Sequence, residues 1–292
     1  MFFLLFGIFC LKYTNSHYII VVFKFIKRMK KMETSTIPDT IINQQQYLSA
    51  MRKSLVDKAF FIDKIFEPID TIVDFGCADG SLIKFLKDMF PEYTYIGYDK
   101  SEQMVEAAHR IFPEVEVTDD WNRTACSPES SLLNLSSVIH EVYSYCTNDE
   151  IEEFWDRVFK SGFKYVSFRD MMLSQKTHSA PIETQNIVVP PAYTQLYKQY
   201  CDIWGEMENE ASYLHFILKS QYLNNGNLQR ELVENYFPIT VEGFLQQIPD
   251  NYEIVYSDNY ILPYLKWWIA KEYGITVTTP THAKYILKKK RD

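Results

Sequence analysis

Apolar and polar residues are arranged along this chain in blocks that predict strands and helices in turn. An apolar run over residues 71–75 predicts a buried strand, and glycines follow it. The apolar residues Leu82, Ile83, Phe85, Leu86 and Met89 then recur at helical spacing. A second β-rich run, 93–98, ends at Asp99. This order predicts a βαβ unit of about 30 residues with a carboxylate at the end of its second strand.

The same periodicities predict further strands at 115–117, 132–141, 165–168, 252–261 and 283–288, and helices at 44–66, 101–112, 151–160, 240–247 and 262–273. Strands and helices alternate through most of the chain, which indicates an α/β fold with a doubly wound, mostly parallel sheet. The alternation stops at about 174–236, where loops and helical stretches rich in Tyr, Trp and Glu predict an inserted helical segment.

The turn between the first strand and the first helix of the βαβ unit has the features of a nucleoside site. Gly76 lets a ligand approach the backbone closely, and Gly80 relieves crowding at the start of the helix. A carboxylate at Asp99 is able to accept hydrogen bonds from both hydroxyls of a ribose.

The run Asp74-Phe75-Gly76-Cys77-Ala78-Asp79-Gly80, together with Asp99, resembles the first two motifs of the class I S-adenosylmethionine-dependent methyltransferases. The resemblance extends over about residues 69–291 and is strongest over 74–99. It implies a Rossmann-like methyltransferase fold with seven strands, the last of them antiparallel, and a helical cap formed by 174–236. Ala78 stands where the family usually has its middle glycine, and we expect a slightly tighter loop that still binds the cofactor.

The resemblance implies S-adenosylmethionine as the cofactor and a set of residues that bind it: Asp74, Gly76, Ala78, Gly80, Asp99, Met104, Asp119 and Asp120. In the family, the residue at the place of Met104 flanks the adenine, and an acidic side chain near Asp119 or Asp120 accepts the exocyclic amine of the adenine. The same residues also fit simpler interpretations, a core methionine and a turn built from aspartates. An upstream helix covers the cofactor pocket in the family, so Tyr47, Arg52, Lys53 and Lys58 are candidates to reach the cofactor's carboxylate. The alternative is a packed helix with a solvated basic face.

Two catalytic candidates follow the predicted fourth strand. In doubly wound sheets the reacting groups gather beyond the carboxyl ends of the strands, where His140 and Glu141 are expected. Either side chain is a candidate to remove a proton from an amine or hydroxyl acceptor, and imidazole titrates near neutral pH. The alternative is that His140 closes the wall of the pocket. Arg169 and Asp170 follow the fifth strand and are expected on the same rim, as an ion pair or a substrate contact.

Charge and composition narrow the choice of partner. The chain of 292 residues is 47% hydrophobic and has a net charge of −8, but its first 32 residues hold six basic side chains and no acid. Removing these six of the 30 basic residues leaves 24 against 38 acidic ones, a net charge of −14. The chain after residue 32 is therefore strongly acidic, which does not favour binding to nucleic acid. A small-molecule acceptor is therefore expected, with an RNA or protein acceptor as the alternative.

The N-terminal residues differ from the rest and predict a separate segment. Residues 1–43 form an apolar and basic extension with a polar lead-in, and 44–292 form the predicted catalytic domain. Either translation starts at Met29 or Met32, or residues 1–28 anchor the protein to a membrane. The five cysteines and six histidines are scattered without ligand spacing. They predict reduced thiols, a cytoplasmic location and no structural metal.

Two other functions remain open at this point. A nicotinamide-dependent oxidoreductase needs a third glycine for its pyrophosphate, and this loop has glycines only at Gly76 and Gly80. A non-catalytic relative of the methyltransferases would keep the nucleoside site without transferring a methyl group. The oligomeric state, and whether segment 174–236 covers a substrate pocket or forms a dimer surface, also stay open.

Overall fold

The computed structural model describes residues 52, 54–183, 186–222 and 228–291. The predicted extension 1–43 and the first part of the predicted helix 44–66 lie outside these residues.

One seven-stranded sheet organises the described residues. Its strands are β1 Thr71–Phe75, β2 Thr94–Tyr98, β3 Val117–Thr118, β4 Ser131–Ser136, β5 Tyr165–Met171, β6 Tyr252–Tyr260 and β7 His282–Lys289. Their order across the sheet is β3-β2-β1-β4-β5-β7-β6. The pairs from β3 to β5 are parallel, and β7 is antiparallel to both β5 and β6. This order and the reversed last strand confirm the predicted fold class.

One described helix precedes β1, and the others lie between the strands in sequence. They are α1 Leu55–Lys58, α2 Ser81–Met89, α3 Glu102–Ile111, α4 Ile139–Tyr145, α5 Asn148–Lys160, α6 Gln175–His178, α7 Thr194–Trp204, α8 Glu210–Ser220, α9 Leu228–Val233, α10 Val241–Leu245 and α11 Pro263–Tyr273. Short 3-10 turns at Phe60–Asp63, Trp121–Thr124, Pro128–Ser130 and Pro191–Tyr193 complete the connections.

The central strands carry apolar side chains on both faces because helices cover both faces of the sheet. One face packs Val73, Leu133 and Phe168 against α5 and α10, and the other packs Ile72 and Leu132 against α2 and α3. Gly97 in β2 leaves room for this second layer. A Cβ atom there would lie 2.7 Å from Cys77 Sγ and 2.7 Å from Ile83 Cδ1.

The helices inserted between β5 and β6 have an apolar core of their own, separate from the two layers on the sheet. Leu196, Phe216 and Leu232 are buried there, and the core continues onto α11 through Leu265 and Ile269. The predicted helical insertion is thus present, and it packs against the connection between β6 and β7.

Three differences from the predicted element boundaries affect the site. The helix predicted for 44–66 is broken at Ala59, where α1 gives way to a 3-10 turn. The fourth strand ends at Ser136, so His140 and Glu141 lie in the first turn of α4. The fifth strand continues to Met171, which places Arg169 and Asp170 inside it. Apolar spacing alone does not show where an apolar run changes from strand to helix.

Within the described residues, no helix has the length and apolar character needed to cross a membrane.

Candidate functional site

The glycine-containing turn lies at the carboxyl end of β1. Gly76, Ala78 and Gly80 have φ angles of +71°, +48° and +73°. Three left-handed residues in five curl the backbone tightly before α2, and Gly80 is the N-cap of that helix. The turn lies between β2 and β4, where the order of strands reverses. Ligands bind at such a point in doubly wound sheets.

Asp99 closes this turn from the end of β2. Its Oδ2 accepts a hydrogen bond from the Ala78 N–H (2.8 Å), and its Oδ1 accepts one from the Ser101 N–H (2.9 Å). Burial raises the pKa of this carboxyl group, against the effect of the two backbone hydrogen bonds. The side chain is fixed beside the turn, as the predicted ribose contact requires.

Asp74 lies in β1 beneath the turn and is buried. Its Oδ1 accepts a hydrogen bond from Asn134 Nδ2 of the neighbouring strand β4 (2.7 Å). Burial raises the pKa of Asp74 to about 6, although Asn134 and the nearby Lys58 favour the ionised form. This carboxyl group therefore helps to join β1 to β4 directly below the predicted site.

Asp79 occupies the N-terminus of α2. Its side chain is buried, with Oδ1 accepting the Ser81 N–H (3.1 Å) and Oδ2 paired with Arg52 (2.7 Å). Arg52 Nε also donates to Ser81 Oγ (2.9 Å). The first N–H group of the helix is thus bonded to a carboxylate, whose negative charge opposes the binding of an anion at this helix end.

The turn gives a matched pair of predictions for stability. A methyl group on Gly76 would lie 2.7 Å from Val138 Cγ2 and would hold a left-handed φ. We expect Gly76→Ala to lower the free energy of unfolding by about 2–4 kcal/mol, from the backbone and the steric clash together. Ala78→Gly relieves a left-handed alanine and is expected to fold with nearly unchanged stability. Urea unfolding of both variants checks the pair, and equal losses would contradict it.

The three other predicted cofactor residues lie close to the end of β2 or β3. Met104 is buried in the first turn of α3. Asp119 and Asp120 are exposed after β3, and Asp120 caps the 3-10 turn by accepting the Asn122 N–H (3.0 Å). Contacts of these three residues with adenine stay predictions.

Helix α1 covers the turn and narrows the recess beneath it. Leu55 and Lys58 line the recess together with Asp74, Gly76 and Ser136. Lys58 is 6% exposed, and burial, followed by the positive charge of Arg169, lowers its pKa to about 8. The sequence named Lys58 only as one of several basic residues near the cofactor, and the structure shows that it points inward.

Asp57, next to Lys58, connects α1 to the far half of the sheet. Its Oδ2 accepts hydrogen bonds from Arg169 Nε (2.8 Å) and Tyr260 OH (2.7 Å), and its Oδ1 accepts one from Lys284 Nζ (2.6 Å). Burial alone would raise the pKa of Asp57, but Arg169, Lys284 and Tyr260 together lower it. Sequence reasoning missed this group, since its members come from α1, β5, β6 and β7.

His282 at the start of β7 makes the stability of this region depend on pH. It is buried, its Nδ1 lies 2.9 Å from Thr281 Oγ1, and burial, followed by Arg169, holds its pKa well below the usual value. Asp57, Asp170 and His140 are the other charged or titratable groups that influence it. The imidazole is neutral in the folded protein and takes up a proton on unfolding below pH about 6.5.

The folded protein is therefore expected to lose stability as the pH falls below that value. Between pH 7.5 and 5.5 the wild type should lose about 1.4 kcal/mol more than His282→Gln does. Urea unfolding at the two pH values measures the difference, and identical losses in both proteins would contradict the assignment.

His140 is held between two carboxylates. Its Nδ1 lies 2.5 Å from Asp170 Oδ1, and its Nε2 lies 3.3 Å from Glu234 Oε1. Burial alone would lower the pKa of His140, but Asp170 and then Glu234 raise it to about 10. Asp170 is fixed in turn, because the N–H groups of Ile139 and Met171 donate to it (2.7 Å each).

Glu141 is the more accessible of the two catalytic candidates. Its side chain is 36% exposed, and Arg230 Nη2 from α9 lies 3.4 Å from its Oε2. Its partly enclosed position and then the charge of Glu234 raise its pKa to about 7. The structure thus places His140 and Glu141 beside Arg230 and Glu234 of the inserted helical segment, two residues that no sequence motif had singled out.

No protein-family profile matches this chain, and no curated protein sequence matches it. Several solved structures are similar in shape. The plantazolicin methyltransferase BamL, in complex with a triazolic desmethylPZN analog and SAH, has 11% sequence identity and a TM-score of 0.48. That alignment covers 85% of this chain and 88% of BamL.

Two further similar structures have comparable values. The pyocyanin biosynthetic protein PhzM has 11% identity and a TM-score of 0.48, over 84% of this chain and 58% of PhzM. Human N-acetylserotonin methyltransferase in complex with SAM has 12% identity and a TM-score of 0.44, over 84% of this chain and 55% of the human protein. At these values the fold assignment rests on the strand order described above.

Proposed function

We propose that this protein transfers a methyl group from S-adenosylmethionine to a nucleophilic O, N or C atom of a small-molecule acceptor. The observation that carries the proposal is the position of Asp99. Its carboxylate is fixed by two backbone N–H groups beside a turn of left-handed residues, at the point where the strand order reverses. A ribose with both hydroxyls on Asp99 suits this arrangement.

The N-terminus of α2 favours an adenosyl ligand over a nicotinamide dinucleotide. A pyrophosphate needs free N–H groups at a helix N-terminus. Here the carboxylate of Asp79 accepts the Ser81 N–H. A buried carboxylate at this end of the helix repels phosphate, whereas it does not conflict with a ligand that carries no phosphate. This argument and the missing third glycine both disfavour the oxidoreductase alternative.

The amino-acid part of the cofactor is proposed to lie beside α1, which Asp57 joins to Arg169, Tyr260 and Lys284. In the structure Leu55 and Lys58 fill one wall of a narrow recess beside Gly76. The ammonium group of Lys58 faces this recess and is suited to pair with the carboxylate of the cofactor's amino-acid part. Arg52 is less suited to this role because it is already paired with Asp79.

The bound cofactor supplies a methyl group activated by a sulfonium, so the protein contributes mainly by positioning the two reactants. Glu141 is better placed than His140 to face an acceptor. Its side chain is partly exposed, whereas both ring nitrogens of His140 face carboxylates. We therefore propose that Glu141 contacts the acceptor and that His140 positions this part of the site.

The acidic body and the aromatic inserted helices support a small acceptor rather than RNA. In this proposal the inserted helices act as a cap over the acceptor. The four described cysteines are free thiols, which is consistent with a cytoplasmic enzyme. A protein or RNA acceptor, or nucleoside binding without transfer, are the alternatives that experiment must separate.

Labelled methyl transfer tests the proposal. The full chain is incubated with S-adenosylmethionine carrying a trideuterated methyl group and, separately, with a small-molecule extract, total RNA or total protein. Label is expected in the small-molecule fraction and should be absent with Asp99→Ala. Label in RNA or protein would overturn the acceptor class. Cofactor binding without label in any fraction would favour the non-catalytic relative.

A further inference from the structure

The fold brings together three side chains that each offer a possible metal ligand. His140 Nε2 and one carboxylate oxygen each of Glu141 and Glu234 lie within 4.8 Å of one another. His140 and Glu141 begin α4, and Glu234 follows α9 in the inserted segment. No motif reveals this set, since Glu234 is distant in sequence from the other two.

The ring of His140 is oriented as a metal ligand requires. Asp170 Oδ1 lies 2.5 Å from Nδ1, and Asp170 is itself held by the backbone N–H groups of Ile139 and Met171. Because Asp170 accepts the Nδ1 hydrogen, Nε2 is the ring nitrogen that a metal ion is able to bind once it displaces the proton there. The same carboxylate and histidine arrangement supports the ligands of many metal sites.

Glu234 supplies the second observation that points to a ligand. The residue is 2% exposed, and its Oε1 accepts no hydrogen bond from any residue that the structure describes, although Nε2 of His140 is 3.3 Å away. A lone pair on Nε2 and a carboxylate oxygen repel each other unless a cation lies between them. That cation is a proton on Nε2 or a metal ion.

Glu141 distinguishes these two possibilities. A proton needs only Nε2 and Glu234, whereas a metal ion uses a third ligand, and a Glu141 oxygen lies within the same 4.8 Å. Ligands at about 2.0–2.2 Å from one ion are about 3.3–3.6 Å apart in a tetrahedral site, so the wider-spaced side chains need to close by about an ångström. Glu141 is partly exposed, which leaves a path for entry and an open coordination position.

We propose that His140, Glu141 and Glu234 bind one divalent transition-metal ion, with Asp170 orienting the histidine. One imidazole and two carboxylates suit Mn²⁺, Fe²⁺, Co²⁺ or Zn²⁺ better than Cu⁺ or an iron–sulfur cluster, which require thiolates. The ion lies against the acceptor-facing side of Glu141. The metal ion would bind an oxygen or nitrogen atom of the acceptor and so help to position the acceptor.

Arg230 limits the affinity of this site and offers a specific test of it. Its guanidinium lies 3.4 Å from Glu141 Oε2 and 3.5 Å from Glu234 Oε2. A fixed positive charge so close to the ion opposes binding, so Arg230→Gln should bind the metal more tightly by at least about tenfold. A purely structural ion-pair network predicts no gain in metal affinity from this substitution.

The test is titration of the metal-free full chain with Mn²⁺, followed by the loss of the free-ion EPR signal, and with Co²⁺, followed by its visible absorption. We expect one site per chain. Loss of a supporting partner alone typically weakens a metal site about 10–100-fold, so Glu234→Gln and Glu141→Gln should each weaken it about 100-fold or more. Glu231→Gln is the matched control, because Glu231 is also a buried glutamate near Arg230 but is not a ligand.

Circular dichroism and thermal unfolding check that each variant is folded. The proposal is overturned if the wild type shows no saturable binding, or if a folded Glu234→Gln and Glu141→Gln bind as well as the wild type does. Binding of S-adenosylhomocysteine is measured separately in the presence of EDTA. If S-adenosylhomocysteine binds but the metal ion does not, only the proposed metal site is rejected. If the metal ion binds but S-adenosylhomocysteine does not, only the proposed cofactor is rejected.

Discussion

Replacement of Asp99 by alanine is expected to weaken the binding of S-adenosylhomocysteine about 100-fold or more while the protein stays folded. In the proposed complex this carboxylate, at the end of β2, accepts hydrogen bonds from both ribose hydroxyls. Hydrogen bonds to charged groups contribute about 1.5–3 kcal/mol each, and two of them account for a loss of this size. Isothermal titration calorimetry of the wild type and the variant measures it.

Two other variants show whether Asp99→Ala loses affinity because the ribose contact is missing or because the turn at Gly76–Gly80 has changed. Asp99→Asn keeps one oxygen for the Ala78 or Ser101 N–H and should bind with intermediate affinity. Asp88→Ala removes an exposed acid of α2 that pairs with Lys84 and should leave binding unchanged. Wild-type affinity in Asp99→Ala would show that the ribose lies elsewhere.

Asp57→Asn should lower the free energy of unfolding more than any other substitution proposed for this protein. Asp57 is the shared partner of Arg169, Lys284 and Tyr260, and the Arg169 side chain is buried. Breaking a buried ion pair by removing one partner typically costs about 3–5 kcal/mol, because the other charge stays buried without compensation. Urea unfolding should show a loss in this range.

Glu67 provides the matched control for this prediction. It also gathers three cations, Lys164, Lys288 and Arg291, but this cluster lies at the surface. Solvent screens such pairs, so Glu67→Gln should be far less harmful than Asp57→Asn. Equal losses in the two variants would mean that the Asp57 cluster is not what holds α1 to β5, β6 and β7.

The sequence predicted the parts of this fold that depend on local periodicity. The βαβ unit, the turn at Gly76 and Gly80, and the position of Asp99 depend on about 30 consecutive residues, so their spacing is visible in the chain. The number of strands and the reversed last strand followed from the resemblance to the class I methyltransferases, and the structure confirms both. The order of the strands across the sheet became visible only in the structure. The boundary between β4 and α4 was wrong because apolar residues continue from Leu135 in β4 to Val138 and Ile139 at the start of α4.

The remaining contacts of the site depend on residues that are distant in sequence. Asp57 meets Lys284 only after β7 has inserted beside β5, and Glu234 meets His140 only after the inserted segment has folded back. Neither pair has a spacing that a motif can express. His140 and Glu141 were identified because they follow a central strand, but their partners became visible only in the folded chain.

The most direct test of the central claim is calorimetric titration of the full chain with S-adenosylhomocysteine and, in parallel, with NADH. The account predicts saturable binding of S-adenosylhomocysteine at one site and no binding of NADH, since Asp79 occupies the N-terminus of α2. Binding of NADH without binding of S-adenosylhomocysteine would contradict the methyltransferase proposal and favour the nicotinamide-dependent oxidoreductase.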